Sequence, residues 1–216
     1  MQPSFSTFIF DLDGTVLDTM PDLVVLTNRA LSEMGFPERS AAEILSFVGN
    51  GARRLMYQAV PENTPEDVSE AALDLWVSLY AECGIALTQH YEGMDAVLAE
   101  LKAQGKRLGL LSNKFDKGVQ DLVQLYFPDT FAVAHGEGAD IPRKPDPAGL
   151  LQTIAELGST PAQTVYVGDS RGDMIVAQRA GTFALGVTWG YQSEAELEAG
   201  GACEIIHKPA QILSFT

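Results

Sequence analysis

The chain has 216 residues, 46% of them hydrophobic, enough to bury a real core. Its formal net charge is −15, from 14 basic and 29 acidic residues, and Lys and Arg form no cluster. That balance argues against nucleic acid or anionic lipid as a partner, while a locally positive pocket could still take a small anion. Residues 1–7 lack the basic-then-apolar pattern of a signal peptide, and no apolar run approaches the ~18 residues of a membrane helix. Cys83 and Cys203 lie far apart without metal-type spacing and read as two reduced thiols. A soluble cytoplasmic protein is expected.

The first element is Phe8-Ile-Phe10, an unbroken apolar run that predicts a strand buried on both faces. It runs into Asp11-Leu-Asp13-Gly-Thr15, a strand-to-loop transition rich in acid. Met20 to Met34 has apolar residues at helical spacing, with Pro21 suited to a first turn and Gly35 to a stop. Ser40 to Glu43 is a capping box, Gly49-Asn-Gly51 breaks the chain, and Ala52 to Val60 again looks helical. A longer helix starts near Thr64-Pro-Glu-Asp67, ends near Gly84, and carries Trp76, Leu79 and Tyr80 as packing residues. Between 16 and 90 the pattern holds helices and no convincing strand. Strand and helix then alternate. Helices are predicted at 92–104, 116–127, 148–157, 174–180 and 194–199, and strands at 107–111, 131–134, 164–168, 183–189 and 204–206. Such alternation implies right-handed crossovers and a parallel sheet covered by helices. The expected fold is therefore α/β, a Rossmann-like parallel sheet core (1–15 and 91–216) with an inserted all-helical cap domain (16–90).

Three predicted strands end in polar residues: Asp11, Ser112-Asn113 and Asp169. Parallel strands bring such ends to one edge, where ligands bind in open α/β sheets. The loop 136–147 contributes Lys144, held extended by Pro145, and Asp173 follows Asp169 at the start of a helix. Carboxylates packed together repel and raise each other's pKa. A hard divalent cation removes that conflict, and oxygen ligands without His or Cys favour Mg²⁺. Mg²⁺ prefers sites shared with phosphate, for which Lys144, the Ser112 hydroxyl and the N–H groups from Leu12 to Gly14 are candidate ligands. One carboxylate there can attack phosphorus, and a second, two residues on, can act as acid and then base.

Asp11-Leu-Asp13-Gly-Thr15, Ser112-Asn113, Lys144-Pro-Asp-Pro and Gly168-Asp169-Ser-Arg-Gly-Asp173 resemble, in order, the four motifs of haloacid dehalogenase-like phosphatases. The helical insert resembles that family's cap domain. The resemblance implies Asp11 as nucleophile and metal ligand, and Asp13 as acid/base that also binds Mg²⁺ through its carbonyl. It implies Ser112 and Lys144 as holders of the phosphoryl group, and Asp169 and Asp173 as further metal residues. The last motif often has Asn before its second acid, where this chain has Gly172.

Thr19-Met-Pro-Asp22, Val48-Gly-Asn-Gly-Ala-Arg53 and Trp189-Gly-Tyr191 are similar to segments of the phosphoglycolate phosphatases within that family. On that resemblance Gly49 and Gly51 would let cap backbone approach the substrate, Arg53 would pair with its carboxylate, and Gly14 and Asn113 would line the site. The expected partner is a small phosphorylated metabolite, foremost 2-phosphoglycolate, with the protein a monomer or homodimer.

Plainer alternatives stand beside these readings. Asp11 and Asp13 are also what a turn at a strand end uses. The Asp-x-Asp-Gly stretch brushes against a calcium loop, but its glycine comes too early and no twelfth-position Glu follows. Asp173 could only cap its helix, and Arg53 could only be solvated. His90, His135 and His207 fall outside the motifs, although His135 is near the Lys144 loop. A phosphosugar mutase using the same aspartate and a non-catalytic phospho-ligand binder are the rival functions.

Overall fold

The computed structural model of the chain describes residues 3–83, 86–138 and 140–216. These divide into two compact units, one running to Asp18 and resuming over His90–Thr216, the other Thr19–Gln89. In chain order the strands are β1 (Thr7–Phe10), β2 (Leu17–Asp18), β3 (Gln89–His90), β4 (Arg107–Phe115), β5 (Val133–Glu137), β6 (Thr164–Gly168), β7 (Phe183–Val187) and β8 (Glu204–Ile206). The helices are α1 (Met20–Glu33), α2 (Ala41–Phe47), α3 (Gly51–Ala59), α4 (Glu66–Cys83), α5 (Met94–Ala103), α6 (Asp116–Tyr126), α7 (Ala148–Glu156), α8 (Arg171–Ala180) and α9 (Glu194–Gly200).

Six strands form one sheet in the order β5-β4-β1-β6-β7-β8, parallel throughout. β1 lies inside it, so its side chains meet protein on both faces. Phe8, Ile9 and Phe10 are fully buried, each contributing about 1.5–3 kcal/mol as an upper estimate. Ile9 joins a core with Leu150 and Ile154 of α7 and Met174 and Ala177 of α8. The Phe10 ring meets Phe131 at 6.2 Å between centroids. Phe10 pairs with Leu110 on one side and Val167 on the other. That register sends Asp11, Ser112 and Asp169 off the same edge of the sheet.

The other unit consists of α1 to α4 and their connections. Pro21 sits in the first turn of α1, and the Ser40–Glu43 capping box opens α2. Trp76 of α4 is buried, stacks on Tyr80 at 5.7 Å, and donates its Nε1–H to Thr27 Oγ1 at 3.2 Å. The buried Asp22 carboxylate accepts from the Leu87 N–H, the Thr88 N–H and the Thr88 hydroxyl. This ties the start of α1 to the segment leaving the unit. Among the described residues no helix is long and apolar enough to cross a membrane.

Several elements differ from the sequence expectation. β2 and β3 are short strands at the ends of an insert expected to hold none. β4 continues through Ser112–Lys114 to Phe115, with a register irregularity between Leu111 and Phe115, where a stop at Leu111 is expected. β5 begins at Val133 and runs to Glu137, with the Phe131 ring before it packed against Phe10 and Phe127. α8 starts three residues early, because Ser170 and Asp173 form a capping box. Gly84, the predicted stop of α4, and the side chain of Cys83 lie outside the described residues. Cys203 is a free, exposed thiol.

Asp22→Ala leaves two backbone N–H groups and a hydroxyl without their acceptor. It should destabilise the helical unit by about 1.5–3 kcal/mol, read from urea denaturation followed by tryptophan fluorescence, to which Trp76 contributes.

Candidate active site

β1 ends at Phe10, and the Asp11 N–H still donates to the Val167 carbonyl at 2.9 Å. The chain then folds tightly, with the N–H groups of Thr15, Val16 and Leu17 all directed at the Leu12 carbonyl. Asp11 is thereby held, buried, at the carboxyl edge of the sheet. Asp169 follows β6 and is also buried, with Thr15 Oγ1 donating to Oδ1 at 3.0 Å and the Tyr191 N–H to Oδ2 at 2.7 Å. Asp173, on the first turn of α8, has both carboxylate oxygens engaged. Oδ2 caps the helix from the Ser170 N–H and hydroxyl, while Oδ1 faces Lys144 Nζ at 2.7 Å and the Tyr166 hydroxyl at 3.3 Å. The capping bonds and the contact with Lys144 coexist in one side chain.

Asp11, Asp169 and Asp173 each bring a carboxylate oxygen within 4.8 Å of the others. Lys144 Nζ lies 2.8 Å from Asp11 Oδ1 and 2.7 Å from Asp173 Oδ1. Three acids around one ammonium leave an excess of negative charge, and its consequences appear in the pKa values. Burial pushes Asp11 up to about 7, against the pull of Lys144, with Asp173 and Asp13 adding to the rise. Asp169 is raised well above the ordinary range by burial, then by Asp173 and Asp11. Burial alone would lower Lys144, but Asp11 and Asp173 outweigh it, and the amine is held charged.

The donor set is all oxygen, as a hard divalent cation requires. Asp11 Oδ1 is buried and, among the described residues, has no hydrogen bond, the Lys144 ammonium being close but poorly aligned. An acidic, buried triad with one such oxygen fits a bound cation.

The remaining expected residues fall into place differently. Ser112 is buried at the edge and its hydroxyl accepts the Lys114 N–H at 3.3 Å. Asn113, expected to line the substrate, uses both ends of its amide on the Lys144 backbone. Lys144 N–H donates to Oδ1 at 2.7 Å and Nδ2 donates to the Lys144 carbonyl at 3.1 Å. It positions the lysine. Gly14, expected to offer its N–H to phosphate, donates it to the Leu17 carbonyl at 2.9 Å. What Gly14 supplies is space: at φ +84°, a side chain there would overlap the Asp169 carboxylate. Arg53, Gly49 and Gly51 belong to the helical unit. The Arg53 guanidinium pairs with Glu70, which also takes the Tyr57 hydroxyl, and lies 3.8 Å from Glu66.

Three residues escaped the sequence reading of the site. Tyr166 donates its hydroxyl to the Leu111 carbonyl at 2.9 Å and accepts from Lys144 Nζ at 3.0 Å. Nothing in a strand tyrosine announces this. Lys114 is buried and reaches Asp13 Oδ1 at 3.3 Å. Its signal was its place two residues after Ser112, the period that returns a strand side chain to the same face. Gly190 is the third: a methyl there would overlap both Asp169 and the Gly14 carbonyl. Beside it Trp189 Nε1–H donates to the Thr15 carbonyl at 3.0 Å.

The haloacid dehalogenase-like hydrolase family model matches residues 8–187. The phosphoglycolate phosphatase of Pseudomonas putida is 36% identical over 197 residues, 88% of this chain and 72% of its own length. That of Vibrio cholerae is 34% identical, over 87% of this chain and 86% of its own. Among solved structures, a predicted phosphoglycolate phosphatase from Haemophilus somnus superposes with a TM-score of 0.88 at 29% identity, covering 97% of both chains. The chain belongs to the haloacid dehalogenase-like hydrolases, and it is an enzyme of that family.

The raised Asp11 has a consequence for stability in the metal-free protein. Because its folded pKa is about 7 against the ordinary 3.8, its contribution is whole below 3.8 and is lost as the pH rises through 7. In EDTA, Asp11→Asn should therefore gain stability relative to the unsubstituted protein across that window, read as the difference between urea midpoints. A difference flat with pH would contradict it. Gly190→Ala should cost about 1–3 kcal/mol by wedging Asp169 and the Gly14 carbonyl apart, measured by the same denaturation.

Proposed function

We propose that this hydrolase is a Mg²⁺-dependent phosphomonoesterase whose substrate is 2-phosphoglycolate and whose intermediate is a phosphorylated Asp11. The observation that carries the reading is the buried Asp11 carboxylate at the sheet edge, with Lys144 at 2.8 Å and the acids Asp169 and Asp173 beside it. Relatives 34% and 36% identical to this chain are phosphoglycolate phosphatases, which supports that substrate.

Asp11, Asp169 and Asp173 would hold Mg²⁺, with the Asp13 carbonyl as a further ligand. The ion supplies charge neutralisation at the phosphoryl oxygens when bound. Lys144 and the Ser112 hydroxyl bind the phosphoryl oxygens and hold phosphorus in line with Asp11. An Asp11 carboxylate oxygen attacks phosphorus as the ester P–O bond breaks, and Asp13 gives its proton to the departing oxygen. Asp13 then takes a proton from water, whose oxygen attacks phosphorus. The acyl-phosphate P–O bond breaks, freeing inorganic phosphate and restoring Asp11. Tyr166 and Asn113 keep Lys144 in place through both steps. Gly49, Gly51 and Arg53 are proposed as the helical unit's contribution around the bound substrate. The protein is proposed to be cytoplasmic.

Phosphate release from a panel of small phosphomonoesters, with Mg²⁺ or EDTA, tests this. Release should require the metal, 2-phosphoglycolate should rank first, and Asp11→Asn should lower the rate by roughly three orders of magnitude or more. A low rank for 2-phosphoglycolate would sink the substrate. Release that survives in Asp11→Asn would sink the nucleophile. Isomer formation dependent on a sugar bisphosphate, without free phosphate, would make the enzyme a mutase.

A further inference from the structure

We infer that Lys114 is the specificity residue of this site: its buried ammonium takes a carboxylate carried by the leaving group. The inference rests on the phosphomonoesterase reading above and names what selects its substrate.

Lys114 stands on β4, two residues past Ser112, with its side chain only 5% exposed. A buried lysine is costly unless an anion faces it. Asp13 faces it, with Oδ1 at 3.3 Å from Nζ, a longer contact than the 2.7 and 2.8 Å contacts of Lys144. The two lysines thus divide the site. Lys144 faces Asp11 and Asp173, where the phosphoryl group is handled, and Lys114 faces Asp13, where the leaving oxygen is handled.

The reach follows from the chemistry. The oxygen that Asp13 protonates must come within about 2.6–3.2 Å of its carboxylate. Lys114 Nζ is 3.3 Å from that same carboxylate. In an O–CH₂–COO⁻ leaving group, the carboxylate oxygens are three bonds of about 1.2–1.5 Å from the ester oxygen. A leaving group this short therefore places its carboxylate in the neighbourhood of Asp13, where Lys114 already is. Arg53, the other candidate partner for that carboxylate, already pairs with Glu70 and is near Glu66 within its own unit. An ammonium in the same unit as Asp11 needs no help from the insert to read the substrate. The class selected is a short phosphomonoester bearing an anion one carbon from the ester oxygen.

The test is a two-by-two comparison of kcat/KM for 2-phosphoglycolate and for its methyl ester, in which the carboxylate is neutral, using the unsubstituted enzyme and Lys114→Met. The unsubstituted enzyme should prefer the acid, and Lys114→Met should cut that preference roughly 10- to 100-fold, the worth of a hydrogen bond to a charged group. Lys114→Gln, which keeps a polar donor, should fall between them and serves if the Met variant does not fold. Equal loss on both substrates would mean that Lys114 only steadies Asp13, and the inference falls. An intact preference in either folded variant also overturns it. If the unsubstituted enzyme shows no preference for the acid, the substrate reading fails and takes the inference with it, whereas the metal- and Asp11-dependent release of phosphate would be untouched.

Discussion

A single buried ammonium, Lys144, is the constraint on which the site depends. It contacts Asp11 from the end of β1 and Asp173 from the first turn of α8, with less than a tenth of its own surface exposed. Removing it would leave carboxylates facing each other in a poorly solvated place, a far larger penalty than the worth of any one pair. The neighbours are arranged around holding it. Asn113 fixes its backbone through a two-bond amide pairing, and Tyr166 anchors its tip while bonding back to the Leu111 carbonyl. Gly168 allows Asp173 to come as near as it does, since a side chain there would overlap the Asp173 carboxylate.

A second constraint is steric. Asp169 is enclosed by backbone from two directions, the turn at Gly14 and the segment Trp189–Tyr191. Both approaches depend on glycine having no Cβ. The Tyr191 N–H and the Thr15 hydroxyl give the carboxylate hydrogen bonds without neutralising it. Its ionised form is disfavoured by burial and by Asp173 and Asp11, and a bound cation would favour it. Two of the acids are kept uncomfortable: Asp11 and Asp169 are buried, and burial first, then the neighbouring carboxylates, pushes them upward. Such a site is poised for a divalent cation and a phosphoryl group, which is the reading proposed above.

The helical unit has its own internal logic. Asp22 ties its first helix to its exit, and Trp76 fills its centre. Arg53 is paired within it. In the α/β unit, selection of the substrate's carboxylate is assigned by inference to Lys114, the lysine of β4.

What the sequence determined by itself is local or periodic. The Phe8–Phe10 run could be read as a doubly buried strand, and the alternation of strands and helices as a parallel sheet. Polar residues at the strand ends pointed to one edge and to the acids Asp11, Asp169 and Asp173. Helix starts with a capping signature, such as Ser40–Glu43, were legible because the bonds that make them span three residues. Tertiary structure alone decided contacts between groups far apart in the chain. Tyr166 became an anchor for Lys144, Lys114 became a neighbour of Asp13, and Asn113 became a partner of the lysine backbone. It also decided that β4 runs on to Phe115, because β5 arrives to pair with it at Glu137. The physical reason is the same in each case. A side chain's type limits which bonds it can make, but which partner it meets depends on how strands more than a hundred residues apart, such as β1 and β6, line up in one sheet.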